Sequence, residues 1–156
     1  MPYIKQKMRD IVDPHIKKLF EKFLREEDIS PSRIGNIFNI IATYSNQGRI
    51  PQINKHLYTP SDTIICKNLI QAIIELPRDA LYGILNYCIT RFLILFIGDK
   101  IRYNKIQAAM EAITEAQQYV NAKSLKAMLI CAGNEFYRRV AVPYEDSKAK
   151  ENGDVY

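Results

Sequence analysis

Tryptophan is absent from this chain, histidine occurs twice and cysteine three times. His15 and His56 lie in different segments. Cys66, Cys88 and Cys131 are far apart and form no C-x-x-C pair. Zinc needs three or four N, S or O ligands, so no His/Cys metal centre is expected, and no cofactor is called for. An odd, dispersed set of thiols speaks against a disulfide framework and for a reducing compartment, the cytoplasm. Each cysteine has apolar neighbours, and all three are expected to be buried and inert. Glycine is sparse at 6 residues of 156. Neither P-loop nor G-x-G-x-x-G occurs, and H-E-x-x-H and G-x-S-x-G are equally missing.

Long apolar runs are scarce as well. The greasiest stretch, Ala80 to Gly98, approaches the length of a membrane span. Asn86, Thr90 and Arg91 interrupt it, and a mid-helix Arg costs about 2.5–3.5 kcal/mol on insertion into a bilayer. A buried central helix is the expected reading, with no membrane partner. Met1 to Asp10 is charged and lacks the apolar run of a leader.

What is present is a globular composition, with 47% apolar residues and a net charge of +5. The excess charge is N-terminal: residues 1–25 hold seven Lys/Arg and three Asp/Glu, the rest fifteen and fourteen. A basic end favours anionic partners, although Lys17, Lys18 and Lys22 read first as the solvated face of a helix.

Helical periodicity runs through most of the chain. Asp13 and Pro14 read as an N-cap and first residue, followed by Ile16, Leu19, Phe20, Phe23 and Leu24 at three- and four-residue steps. Ser30-Pro31 and Thr59-Pro60 repeat the start signal. Residues 49–58 read as a loop. Pro77 breaks the chain, and Asp79 is placed to help cap the helix that ends at Gly98. A further stripe runs from Ile106 to Val120 and loses register near Asn121, where a kink or a turn is expected. The last stripe, Leu125 to Phe136, is expected to stop at Pro143. No strand alternation stands out. The fold class is all-α: residues 1–156 form a single-domain helical bundle of about six helices.

Two constellations hold candidate chemistry. Gly83, Asn86, Tyr87, Thr90 and Arg91 make a polar stripe on the apolar central helix. Buried polar groups need partners, so the stripe is either a hydrogen-bond network or a pocket for an anionic or polar ligand. Arg138 and Arg139, with Glu135, Tyr137 and Tyr144 nearby, form a cluster suited to a phosphate or a stacked base. The candidate ligand-binding residues are therefore Asn86, Tyr87, Arg91, Arg138, Arg139 and Tyr144. Glu111 and Glu115, one helical turn apart, are the pair on which a magnesium-dependent nucleotide hydrolase would rest; a second carboxylate pair would be needed.

The segments "MPYIKQKMRDIVDPHIKKL", "GILNYCITRFL" and "EFYRRVAVPYEDSKAKENGDVY" together resemble a family of small uncharacterised proteins of bacteria, archaea and tailed phages. They match in order and cover roughly a third to a half of the chain. The resemblance implies a common fold and carries no activity. Relative to shorter members, residues 28–77 form a helical insertion, and the stretch from Ile106 to Lys123 is longer. It also implies that the C-terminal tail belongs to the fold, with residues 136–156 beside the central helix. The residues themselves support a packed tail: Pro143 forces a turn, Asn152-Gly153 offers a second, and Tyr144, Val155 and Tyr156 are apolar-bodied. Segment 143–156 is therefore expected to pack near the central helix, with Glu145 or Asp146 pairing with Arg91 or Arg139.

The resulting expectation is a cytoplasmic, non-enzymatic binding or assembly protein that self-associates. The alternatives are a nucleotide or nucleic-acid binder using Arg91, Arg138 and Arg139, and the magnesium-dependent hydrolase.

Overall fold

Ser30 sits in extended conformation and its hydroxyl accepts from the Arg33 amide at 3.3 Å. With Pro31 next in line, this is the helix start read from the sequence. In the computed structural model, which describes residues 4–53 and 59–153, the helices are α1 (Gln6–Arg25), α2 (Pro31–Gln47), α3 (Ser61–Ile74), α4 (Leu81–Ile97), α5 (Tyr103–Tyr119), α6 (Lys123–Phe136) and α7 (Val142–Asn152). A 3-10 turn, Arg78–Ala80, precedes α4, and a π-helical turn, Tyr137–Ala141, joins α6 to α7. Segments α6, π turn and α7 follow one another as a single rod. The chain is thus an all-α domain of six rods, with no strand among the described residues.

Three starts differ from the sequence reading. Helix α1 begins at Gln6, and Pro14 lies inside it. Proline has no N–H for the Asp10 carbonyl, yet Val12, Ile16, Leu19 and Phe23 on either side are buried, and that burial carries the helix through the break. The Asp13 carboxylate is free of capping and turns to α4. Helix α3 starts after Pro60 with no side-chain cap, and Asp79 supplies none to α4.

The chain also continues past Pro143. Proline cannot donate to the Arg139 carbonyl and its ring crowds it; the widened turn at 137–141 precedes the proline, and Val142 N–H reaches back to the Tyr137 carbonyl. Near Asn121 the chain makes a turn, with Val120 and Ala122 both extended.

Helix α4 runs through the middle, packed on α1, α5 and α6. Phe92 meets Phe20, Phe23 and Phe38 at 5.4, 5.3 and 5.3 Å between ring centroids. Edge-on aromatic packing of this kind adds about 0.5–1.5 kcal/mol per pair beyond burial. The stretch Arg78–Ile97 is long and apolar enough to cross a membrane, and most of it is buried inside this bundle. Helices α2 and α3, the expected insertion, supply core residues such as Phe38 and Ile70. Gly35 lets α2 approach α5: a Cβ there would lie 2.7 Å from that of Glu115 and 3.0 Å from the Ala112 carbonyl.

Candidate functional site

Helices α1 and α4 enclose an open groove of about 420 Å³, lined by Asp10, Asp13, Pro14, Lys17, Arg91 and Leu95. Residues 10, 13–14 and 17 recur at three- and four-residue steps and so share one face of α1. Arg91 and Leu95 do the same on α4.

One side of the groove is fixed by Tyr87, whose hydroxyl donates to Asp13 Oδ1 at 2.7 Å. Arg9 lies over the same ring, 5.6 Å from its centroid, and donates to the Ile4 carbonyl at 3.2 Å. Burial pushes the Tyr87 hydroxyl up to about 12, and the bond to Asp13 adds to the shift. Tyr87 therefore stays protonated at neutral pH and serves as a donor. Asp10 Oδ1 accepts from Gln6 at 2.8 Å. Lys17 and Arg91 make no hydrogen bond or ion pair among the described residues. Two cations are left uncommitted in a groove whose carboxylates are each partly engaged.

The candidate residues fall into separate groups. Arg91 lines the groove, and Tyr87, one turn away on α4, reaches its wall through Asp13. Asn86 is buried and accepts from the Thr90 hydroxyl at 3.3 Å, one turn along the same helix. Arg138 and Arg139 both donate to Glu135 Oε1. Burial alone would raise the Glu135 carboxyl; the hydrogen bonds and charges of Arg139 and Arg138 outweigh it and hold the group below its usual range. Tyr144 packs on the core with Lys148 5.7 Å from its ring centroid. No ion pair joins Glu145 or Asp146 to Arg91 or Arg139 among the described residues; Glu145 accepts from the Tyr137 hydroxyl at 3.3 Å. Helix α7 buries none of its residues completely, and Tyr144 is its contact with the core. Val155 and Tyr156, named in the expectation of a packed tail, lie outside the described residues.

Of the other candidates, Glu111 is exposed, and Glu115 is half-buried and accepts from the Tyr119 hydroxyl at 3.3 Å. Among the described residues no three His, Cys, Asp or Glu side chains gather in a way that could hold a metal. Cys66 and Cys88 are buried, and burial pushes both thiols up. Cys131 is exposed, against expectation, because it lies on the outer face of α6.

Sequence reasoning missed Arg33. It is 8% exposed, on the first turn of α2. It bonds Glu26 and Asp62 at 3.0 Å each, and the Phe23 and Asp28 carbonyls at 2.8 and 2.7 Å. Its guanidinium carbon lies 4.6 Å from the Phe23 ring centroid. These bonds engage all three guanidinium nitrogens and hold α1, α2 and α3 together. The groove's acidic half was missed for another reason: Asp13-Pro14 carries a strong helix-start signal that masks its interior role.

The fold defines a small all-α domain. The chain belongs to the family described as Domain of unknown function (DUF6899), which it matches over residues 1–155, across residues 28–77 as well. No curated protein and no solved structure matches it.

Proposed function

We propose that this is a cytoplasmic, non-enzymatic binding protein whose α1–α4 groove holds the phosphate of a small polar ligand, a nucleotide being the class whose remaining groups fit. The observation that carries the reading is the pair of unpaired cations, Lys17 and Arg91, in one groove. Arg presents a planar fork that matches phosphate oxygens, and Lys adds a mobile second charge. The neighbouring carboxylates of Asp10 and Asp13 suit ribose hydroxyls or base amino groups. Tyr87 supports a binding role over catalysis, since its proton is held by burial and by Asp13. Arg138 and Arg139 are tied to Glu135 and take no part in this proposal. Similar segments in proteins of bacteria, archaea and tailed phages belong to this reading and supply no activity.

Titration calorimetry with nucleoside mono- and triphosphates tests it, with unphosphorylated nucleosides and inorganic phosphate as controls. Binding that needs the phosphate and weakens with salt is expected. Equal binding of nucleosides without phosphate, or no heat from any nucleotide, contradicts it.

A second reading is self-association along α6. Ala127, Ile130, Asn134 and Tyr137 are exposed and follow the a/d spacing of a heptad, Ile130 being 48% exposed. A second copy offers the same seam, and an Asn at an a position is a device that sets register in helix pairs. Light scattering over a range of concentrations tests it: a dimer that Ile130→Glu converts to monomer supports it, and a monomer at every concentration rejects it.

A further inference from the structure

We propose that a second pocket, between α2 and the α5–α6 turn, is a binding site for a neutral sugar ring. It is independent of the groove. Its volume is about 260 Å³, and its polar lining is Asn39, Thr43, Asn46, Gln47, Tyr119 and Asn121, with no charged residue.

The hydrogen bonds around it fix the orientation of the Gln47 amide. Arg49 can only donate, and its Nε and Nη2 reach Gln47 Oε1 at 3.2 and 3.1 Å. That fixes the Gln47 carbonyl towards Arg49 and leaves its NH2 without a partner. Asn39 Oδ1 accepts from the Thr43 hydroxyl at 3.1 Å, and the Tyr82 hydroxyl shares its one proton between Ser124 Oγ at 2.9 Å and Asn46 Oδ1 at 3.2 Å. Neither Asn39 nor Asn46 uses its NH2 in a bond among the described residues. Three side chains from one helix face therefore keep their NH2 donors, and Gln47 has used both lone pairs of its carbonyl.

Such a lining selects a ligand rich in acceptors. A phosphate or carboxylate would enter a lining with no cation to offset its charge, which is unfavourable. A sugar ring carries hydroxyl oxygens around its edge and an apolar C–H face. Tyr119 supplies the surface for that face: it is 51% exposed, at the end of α5, and its hydroxyl is held by Glu115. Asn121 has both amide ends open, so it can accept a hydroxyl proton. The volume falls just below the roughly 300–1,000 Å³ of drug-sized sites, so one ring is the fitting size.

The test is a titration of the full chain, labelled with nitrogen-15, with glucose, galactose, mannose and N-acetylglucosamine, following the side-chain NH2 signals. Saturable shifts of Asn39, Asn46 and Gln47 are expected, at an affinity of about 1 mM. Gln47→Glu keeps the shape and the Arg49 contact but replaces a donor with an acceptor; it should weaken binding about tenfold, as should Tyr119→Leu. Helix content by circular dichroism confirms that the variants fold. Arg91→Gln should leave sugar binding unchanged, which separates this site from the groove. The proposal is overturned if no sugar gives a saturable shift, if Gln47→Glu binds as well as wild type, or if adenosine and uridine shift these signals and the sugars do not.

Discussion

The Tyr87 hydroxyl donates to Asp13 Oδ1 at 2.7 Å, so the second helical turn of α1 is pinned to the middle of α4. The bond closes one side of the groove and accounts for an aspartate that precedes a mid-helix proline without capping a helix. Its removal is the first prediction. Tyr87→Phe should lower stability by about 1.5 kcal/mol, the scale of a hydrogen bond to a charged acceptor, measured by urea unfolding. A change near zero would mean the bond does not persist in solution.

The same residue gives a pH dependence. The folded pKa is raised from 10.0 to about 12, so the protonated form is favoured in the folded state. The stabilisation is complete below 10.0 and declines as pH rises from there through about 12. Ultraviolet titration should show one tyrosine ionising later than the exposed ones, and Tyr87→Phe should remove it. A titration unchanged by the substitution would contradict the assignment.

Arg33 should be the most sensitive charged position. Arg33→Ala strands Asp62 and two carbonyls in partly buried surroundings, and a loss of about 3 kcal/mol is expected. Arg33→Lys should recover less than half of it, because a single ammonium cannot replace the fork. Denaturant melts of both variants check this; near-full recovery by Lys would show that charge alone matters there.

Glu135 behaves oppositely to Tyr87 with pH. Its carboxyl is held below the usual 4.5, so its stabilising effect is present above 4.5 and is lost as pH falls through the lower folded value. Thermal melts of wild type should therefore converge on those of Glu135→Gln in acid and separate towards neutrality. A constant gap across that range would contradict the pairing with Arg138 and Arg139.

The fold was legible in large part because its helices carry one-sided apolar stripes. Ile34, Ile37, Phe38 and Ile41 on α2, and Leu81 through Phe96 on α4, are buried as their spacing predicts. Proline misled at Pro14 and Pro143, since local propensity favours a boundary and burial on both sides, or a widened turn, overrides it. The candidate site was legible only in half. Tyr87 and Arg91 stood out as polar residues in an apolar helix. Lys17 reads as part of a solvated face and Asp13 as a helix cap, and only the packing of α1 on α4 gives them, with Asp10, a shared groove. Arg33 sat in an apolar stripe too, but its partners, the 23–28 stretch upstream and Asp62 at a separation of 29 residues, meet only in the folded bundle.

The most direct test of the account compares nucleotide-induced thermal stabilisation of the wild type and Arg91→Gln. Arg91 is exposed and unpaired among the described residues, so the substitution should leave the unliganded melting temperature nearly unchanged. At a nucleotide concentration about a hundred times the dissociation constant, the wild type should gain about 5–10 °C. Arg91→Gln should lose most of that gain. Equal stabilisation of the two proteins, or none of the wild type by any nucleotide, would contradict the assignment of the α1–α4 groove.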